Sequence, residues 1–153
     1  MKYFNIYLIV ALLYGCSSSS DIPSDFSLVY KSENALMDWR LNITLNSESL
    51  ILEYKNKQDN ISGNNVYNIT EREALKIYKY MKSSGFLNMK PPEGEKIVDM
   101  PTQNLSGKYG GKSNYIEFGT VKELPESLST LKQMLFDLAS RYNNSWEKDV
   151  GLE

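Results

Sequence analysis

The octet Trp39-Arg40-Leu41-Asn42-Ile43-Thr44-Leu45-Asn46 alternates without a break between apolar residues and polar ones. Successive side chains of an extended strand point to opposite faces, so this stretch predicts a strand with one face buried and the other in water. A sheet built from such strands is antiparallel and covered on one side only. Phe26 to Tyr30 predicts a first strand, and Leu50 to Tyr54, after the turn at Ser47-Glu48, predicts the return strand of a hairpin. Leu105 to Tyr109, the pair Gly110-Gly111 and Lys112 to Phe118 predict a second hairpin, because two glycines accept the positive φ angles of a two-residue turn.

Two helices complete the pattern. Thr70-Glu71-Arg72-Glu73 has the spacing of a capping box, and Ala74, Ile77, Tyr78 and Met81 follow it at helical intervals, with Gly85 as a stop. Lys76, Lys79 and Lys82 fall on the opposite side, as a solvated face. Pro125 opens the second helix, whose stripe is Leu128, Leu131, Leu135, Leu138 and Tyr142. Asn56 to Asn65 reads as a polar loop, Val66 to Ile69 as a short extended piece, and Lys90 to Pro101 as an exposed connection. The expected fold class is α+β: a two-layer sandwich in which about five antiparallel strands carry two amphipathic helices on one face, in the order β-β-β-α-β-β-α.

The amino terminus has a different character. Lys2, an apolar run from Phe4 to Tyr14, then Gly15-Cys16 and four serines make the three parts of an export leader. The run is too short for a spanning helix, which needs about 20 apolar residues. Leu13-Tyr14-Gly15-Cys16 resembles a bacterial lipobox, with an aliphatic residue at minus three, a small one at minus one and the obligatory cysteine; Tyr14 is bulkier than is usual at its position. The resemblance implies cleavage between Gly15 and Cys16, lipidation of Cys16 with palmitate-type chains, and a mature protein attached to a membrane of the cell envelope without spanning it. Ser17 after the cysteine points to the outer membrane rather than the inner, with the body facing the periplasm or the surface. On this reading residues 1–15 are the signal peptide, 16–24 the lipidated cysteine and flexible tether, 25–143 a single α+β domain and 144–153 a tail whose Trp146, Val150 and Leu152 are able to fold back on the body. The body, with its helix, Gly-Phe, Pro-rich loop, hairpin and helix, is similar in layout to uncharacterised families of small envelope lipoproteins, a likeness that implies no activity.

Composition narrows the chemistry. The 153 residues include no histidine and a single cysteine, which removes Ser-His and Cys-His nucleophile pairs and the commonest transition-metal ligand. Lys2 is the only charge in the leader, so the mature chain is one unit more acidic than the formal −2 of the whole. No basic stripe favours nucleic acid. Gly107 to Ser113 has the flavour of a phosphate-binding loop, yet Ser106 stands where the first glycine belongs and a strand follows where a helix is required, so neither nucleotide nor other cofactor is expected. Glu93, Glu95 and Asp99 read as a mobile acidic loop, not as a metal site or a carboxylate pair. Tyr54, Tyr67, Tyr109 and Tyr115 fit either a ligand-contacting sheet surface or core packing.

Two classes of function remain. One is a non-catalytic envelope lipoprotein that binds an envelope protein or polymer, within which an inhibitor or immunity role against a lytic enzyme is one variant. The other is a small hydrolase built on the Ser129-x-x-Lys132 spacing, in which a desolvated lysine takes the serine proton. The Lys-Thr-Gly element of that enzyme class is missing, and Ser62-Gly63-Asn64 only echoes its Ser-x-Asn element.

Overall fold

The computed structural model describes residues 21–34, 38–58, 60–94, 101–119, 121 and 123–149. The strands are β1 (Ser27–Asn34), β2 (Trp39–Asn46), β3 (Ser49–Asn56), β4 (Ile61–Asn68), β5 (Thr102–Tyr109) and β6 (Lys112–Glu117). The helices are α1 (Glu71–Ser83), α2 (Glu126–Tyr142) and the short α3 (Trp146–Asp149), with a 3-10 turn at Phe86–Asn88. All six strands form one antiparallel sheet in the order β4-β3-β2-β1-β5-β6. The fold class is the expected one. The strand count is six rather than five.

The added strand is β4, which joins the second half of the segment read as a polar loop, Asn56 to Asn65, to the piece from Val66 read as extended. Its alternation is carried by Ile61, Gly63, Asn65 and Tyr67 facing inward, none fully buried, against Ser62, Asn64, Val66 and Asn68 facing out. Such a pattern has little hydrophobic contrast, so a periodicity argument passes over it. What holds β4 is its ladder to β3, from Ser49 opposite Asn68 to Asn56 opposite Ile61. Gly63 leaves room for the Tyr54 ring, which rests across it: a Cβ would lie 2.4 Å from Cζ and displace the ring.

Hydrophobic contrast, where strong, placed the centres of the other strands and both main helices. Leu41, Ile43 and Leu45 on β2, Leu50 and Leu52 on β3, Leu28 and Tyr30 on β1, Leu105 on β5 and Ile116 on β6 are buried under the helices. From above, α1 contributes Ala74, Ile77, Tyr78 and Met81, and α2 contributes Leu128, Leu131, Leu135 and Leu138, the stripes expected. The capping box at Thr70 and Glu73 forms in both directions, and Gly85 ends the α1 segment at φ +72°. Gly110 and Gly111 turn the second hairpin with φ of 58° and 72°. Lys76, Lys79 and Lys82 are exposed.

The core reaches beyond the expected body at both ends. Ile22, in the segment read as tether, is buried, and so is Trp146 in the segment read as tail. Val150 and Leu152 lie outside the described residues, as do Gly15 and Cys16. Among the described residues no helix is long and apolar enough to cross a membrane.

Candidate recognition surface

Both main helices sit on one face of the sheet, and among the described residues the other face is open. Strand register sets its composition. One row across the strands runs Val66, Ile51, Thr44, Val29, Ser106, Tyr115, ending in the two large apolar side chains that stand most exposed: Val66 at 65% and Tyr115 at 55%. The adjacent row runs Asn64, Glu53, Asn42, Lys31, Asn104, Glu117. A shallow hollow of about 640 Å³ opens over the second row, lined also by Glu33, Arg40, Lys55 and Ser62. Within it the Asn42 Nδ2 donates to the Glu53 carboxylate, while Asn42 Oδ1 meets no donor among the described residues. An apolar row beside a row of amides and mixed charges can hold a ligand that has both an apolar edge and many hydrogen-bonding groups.

Of the four tyrosines that fitted either a surface or the core, Tyr54, Tyr67 and Tyr109 face the helices and pack on the core. Tyr115 alone stands on the open face, where its hydroxyl donates to Glu117 at 3.3 Å.

The two edges of the sheet differ. At β6, Asn114 donates its amide to the carbonyls of Phe86 at 2.7 Å and Met89 at 2.9 Å, which lays the 3-10 turn against that edge. Among the described residues no further strand follows at β4.

The Gly107–Ser113 segment is the hairpin its glycines predict. The Gly110 and Gly111 amides each donate to the Asp25 carboxylate at 2.8 Å, clipping the turn to the start of the body. The Gly111 and Gly110 bonds hold the Asp25 carboxyl below its ordinary value of 3.8. A lowered carboxylate stabilises the folded state above that ordinary value and ceases to do so as pH falls through the folded one. Amide-exchange protection at Gly110 and Gly111 is therefore expected to hold at neutral pH and fall at acid pH in the wild type. In Asp25→Ala it is expected to be low at both.

Ser129 and Lys132 are not joined. Ser129 is exposed, and the Lys132 amine instead donates to Gln103 Oε1 at 2.9 Å, lying 5.4 Å from the Tyr30 ring and 5.3 Å from the Phe136 ring. The same Gln103 oxygen accepts the Tyr30 hydroxyl at 2.9 Å. Burial pushes the Lys132 amine below its usual range and pushes the Tyr30 phenol up to about 12. Because the folded state binds the lysine proton less tightly than the unfolded chain does, stability rises as pH climbs through the folded and then the unfolded lysine value. Lys132→Met keeps the packing between the two rings and leaves Gln103 its Tyr30 partner. It is expected to melt higher than wild type at pH 7, with the gap closing as pH is raised past the lysine titration; thermal scans at several pH values check this.

Glu93 is exposed, whereas Glu95 and Asp99 lie outside the described residues. Among the described residues no group of three or more acidic side chains is placed to hold a metal ion. No known family model matches the chain, and no curated protein matches it in sequence. Val66 lies in the piece read as extended; the surface residues that sequence reasoning missed are those of the first half of β4, chiefly Ser62 and Asn64. Their only advance signal is a weak two-residue alternation of small and polar side chains from Ile61 to Asn68.

Proposed function

We propose that this chain is a lipid-anchored, non-catalytic lipoprotein of the cell envelope, in which the open sheet face recognises an envelope protein or exported polymer. The observation that supports it best is the uncovered face itself: six strands wide, with apolar Val66 and Tyr115 at the ends of one row and amides and charges filling the next. The exposed Ser129 and the committed amine of Lys132 give the hydrolase reading no comparable support. The anchor rests on Leu13-Tyr14-Gly15-Cys16. A doubly or triply acylated Cys16 supplies the more than one chain that durable membrane attachment needs.

Labelled palmitate is expected in the wild type and not in Cys16→Ala, and equal incorporation overturns the anchor. For the face, affinity capture from native envelope and binding to isolated cell-wall sacculi are compared for the wild type and for a variant carrying Asn42→Ala and Tyr115→Ala. Loss of one specific retained component in the variant supports the reading. Retention unchanged by the substitutions, or turnover of ester or cell-wall substrates by the wild type, overturns it.

A further inference from the structure

We infer that β4 is a docking edge for a second copy of this chain, added strand to strand about a two-fold axis. The Ile69 amide donates to the Glu48 carbonyl at 3.1 Å, which extends the β3–β4 ladder by one bonded pair. Bonded pairs alternate along an antiparallel ladder, so the odd-numbered residues of β4 bond β3, and Ser62, Asn64, Val66 and Asn68 turn their N-H and C=O groups outward.

An edge that presents such a row is ordinarily protected by charge, proline or a covering element. The far edge of this sheet has protection: β6 carries Lys112 and Glu117, and Asn114 ties the 3-10 turn against it. The β4 segment, Ile61-Ser62-Gly63-Asn64-Asn65-Val66-Tyr67-Asn68, has neither charge nor proline, and Val66 is the most exposed large apolar side chain described.

Charge selects the occupant. A neutral strand gains nothing from a charged partner strand, whereas two copies of it meet without like-charge contact, and the nearest charges on β3, Glu53 and Lys55, stand one strand back on each side. Two-fold pairing puts the same patch on both subunits. Only even-numbered residues have free groups, so the pairing that uses all four sets Ser62 against Asn68 and Asn64 against Val66, in both directions. Asn65 then lies on the axis, facing its own copy as a non-bonded pair. The inference needs the fold but not the lipid anchor or the ligand of the open face.

Asn65→Cys tests the register in membranes of cells expressing the full chain. A non-bonded antiparallel pair brings its Cα atoms to about 4.5 Å, within disulfide reach. Wild type, whose one thiol-bearing residue is Cys16, and Ser83→Cys at the exposed end of α1 are the blanks. Mild oxidation is expected to give Asn65→Cys a covalent dimer at about tenfold the level of either blank. Adding Val66→Pro removes an outward N-H without touching the β3 ladder and is expected to return the dimer to the blank level with the melting temperature little changed. Val66→Lys, which puts a like charge on each side of the joint, does the same if proline perturbs the fold. Dimer no higher than in the blanks, dimer that survives both substitutions at Val66, or a cross-linked product with a different protein overturns the inference.

Discussion

Trp146→Ala is expected to cost about 4 kcal/mol of folding stability, the middle of the range for truncating a fully buried aromatic. Trp146 is completely buried, and its ring meets Phe136 edge-on at 5.1 Å, an arrangement favourable beyond the area it covers. Its indole N-H donates to Ser140 Oγ at 3.0 Å, so the polar end of the ring is satisfied in place. Removing the ring opens a cavity beside Phe136 and Ser140 of α2. Phe136 would lose one face of its packing, and Phe136 in turn contacts Tyr30 at 5.0 Å, so the loss propagates toward the centre of the sheet. Urea unfolding of the wild type, Trp146→Phe and Trp146→Ala should give a graded series. A cost below about 1 kcal/mol for alanine, the scale of an ordinary surface change, would contradict the docking of the carboxyl-terminal segment on the core.

Gly119→Ala is the second large effect, about 3 kcal/mol of destabilisation, at the upper end of what a single added methyl does in a packed site. An ideal Cβ at Gly119 falls 2.1 Å from the Gln103 amide nitrogen and 2.6 Å from the Pro101 carbonyl oxygen. Those atoms are backbone, and Gln103 is also tied to this segment by the Phe118 N-H donated to its carbonyl at 2.9 Å. The methyl can be accommodated only by separating the chain after β6 from the start of β5. Gly107 offers the comparison: its Cβ would meet only side-chain atoms, the Met81 Cε at 2.2 Å and the Phe86 Cε1 at 2.8 Å, which can shift within the core without parting two strands. Gly107→Ala is expected to lose less than Gly119→Ala in the same urea series, and the reverse order would refute the backbone argument.

The parts of the fold that were legible in the sequence are those whose side chains must choose between water and the core. Leu41, Ile43 and Leu45 fixed β2, the leucine stripe fixed α2, and Thr70 with Glu73 fixed the start of α1, each through a local rule that tertiary packing then reinforced. β4 escaped because its inward residues are glycine, asparagine and two half-buried apolar side chains. Its placement depends on hydrogen bonds to β3, which are formed by backbone groups that every residue has. The Asp25 clip and the Lys132 contacts with Gln103 and Tyr30 escaped for a related reason. Each joins residues distant in the chain, and composition carries no record of which amide or ring will be near.

The sequence by itself determined that apolar periods of two and of 3.6 residues must be buried together as an antiparallel sheet under two helices, since each element has one side that water rejects. Only the tertiary structure decided which side chains share the open face, that no described strand covers the β4 edge, and that Trp146, of the apolar residues in the tail, is sealed into the core. Those outcomes follow from strand order and register, which are set when backbone groups far apart in the chain pair with one another.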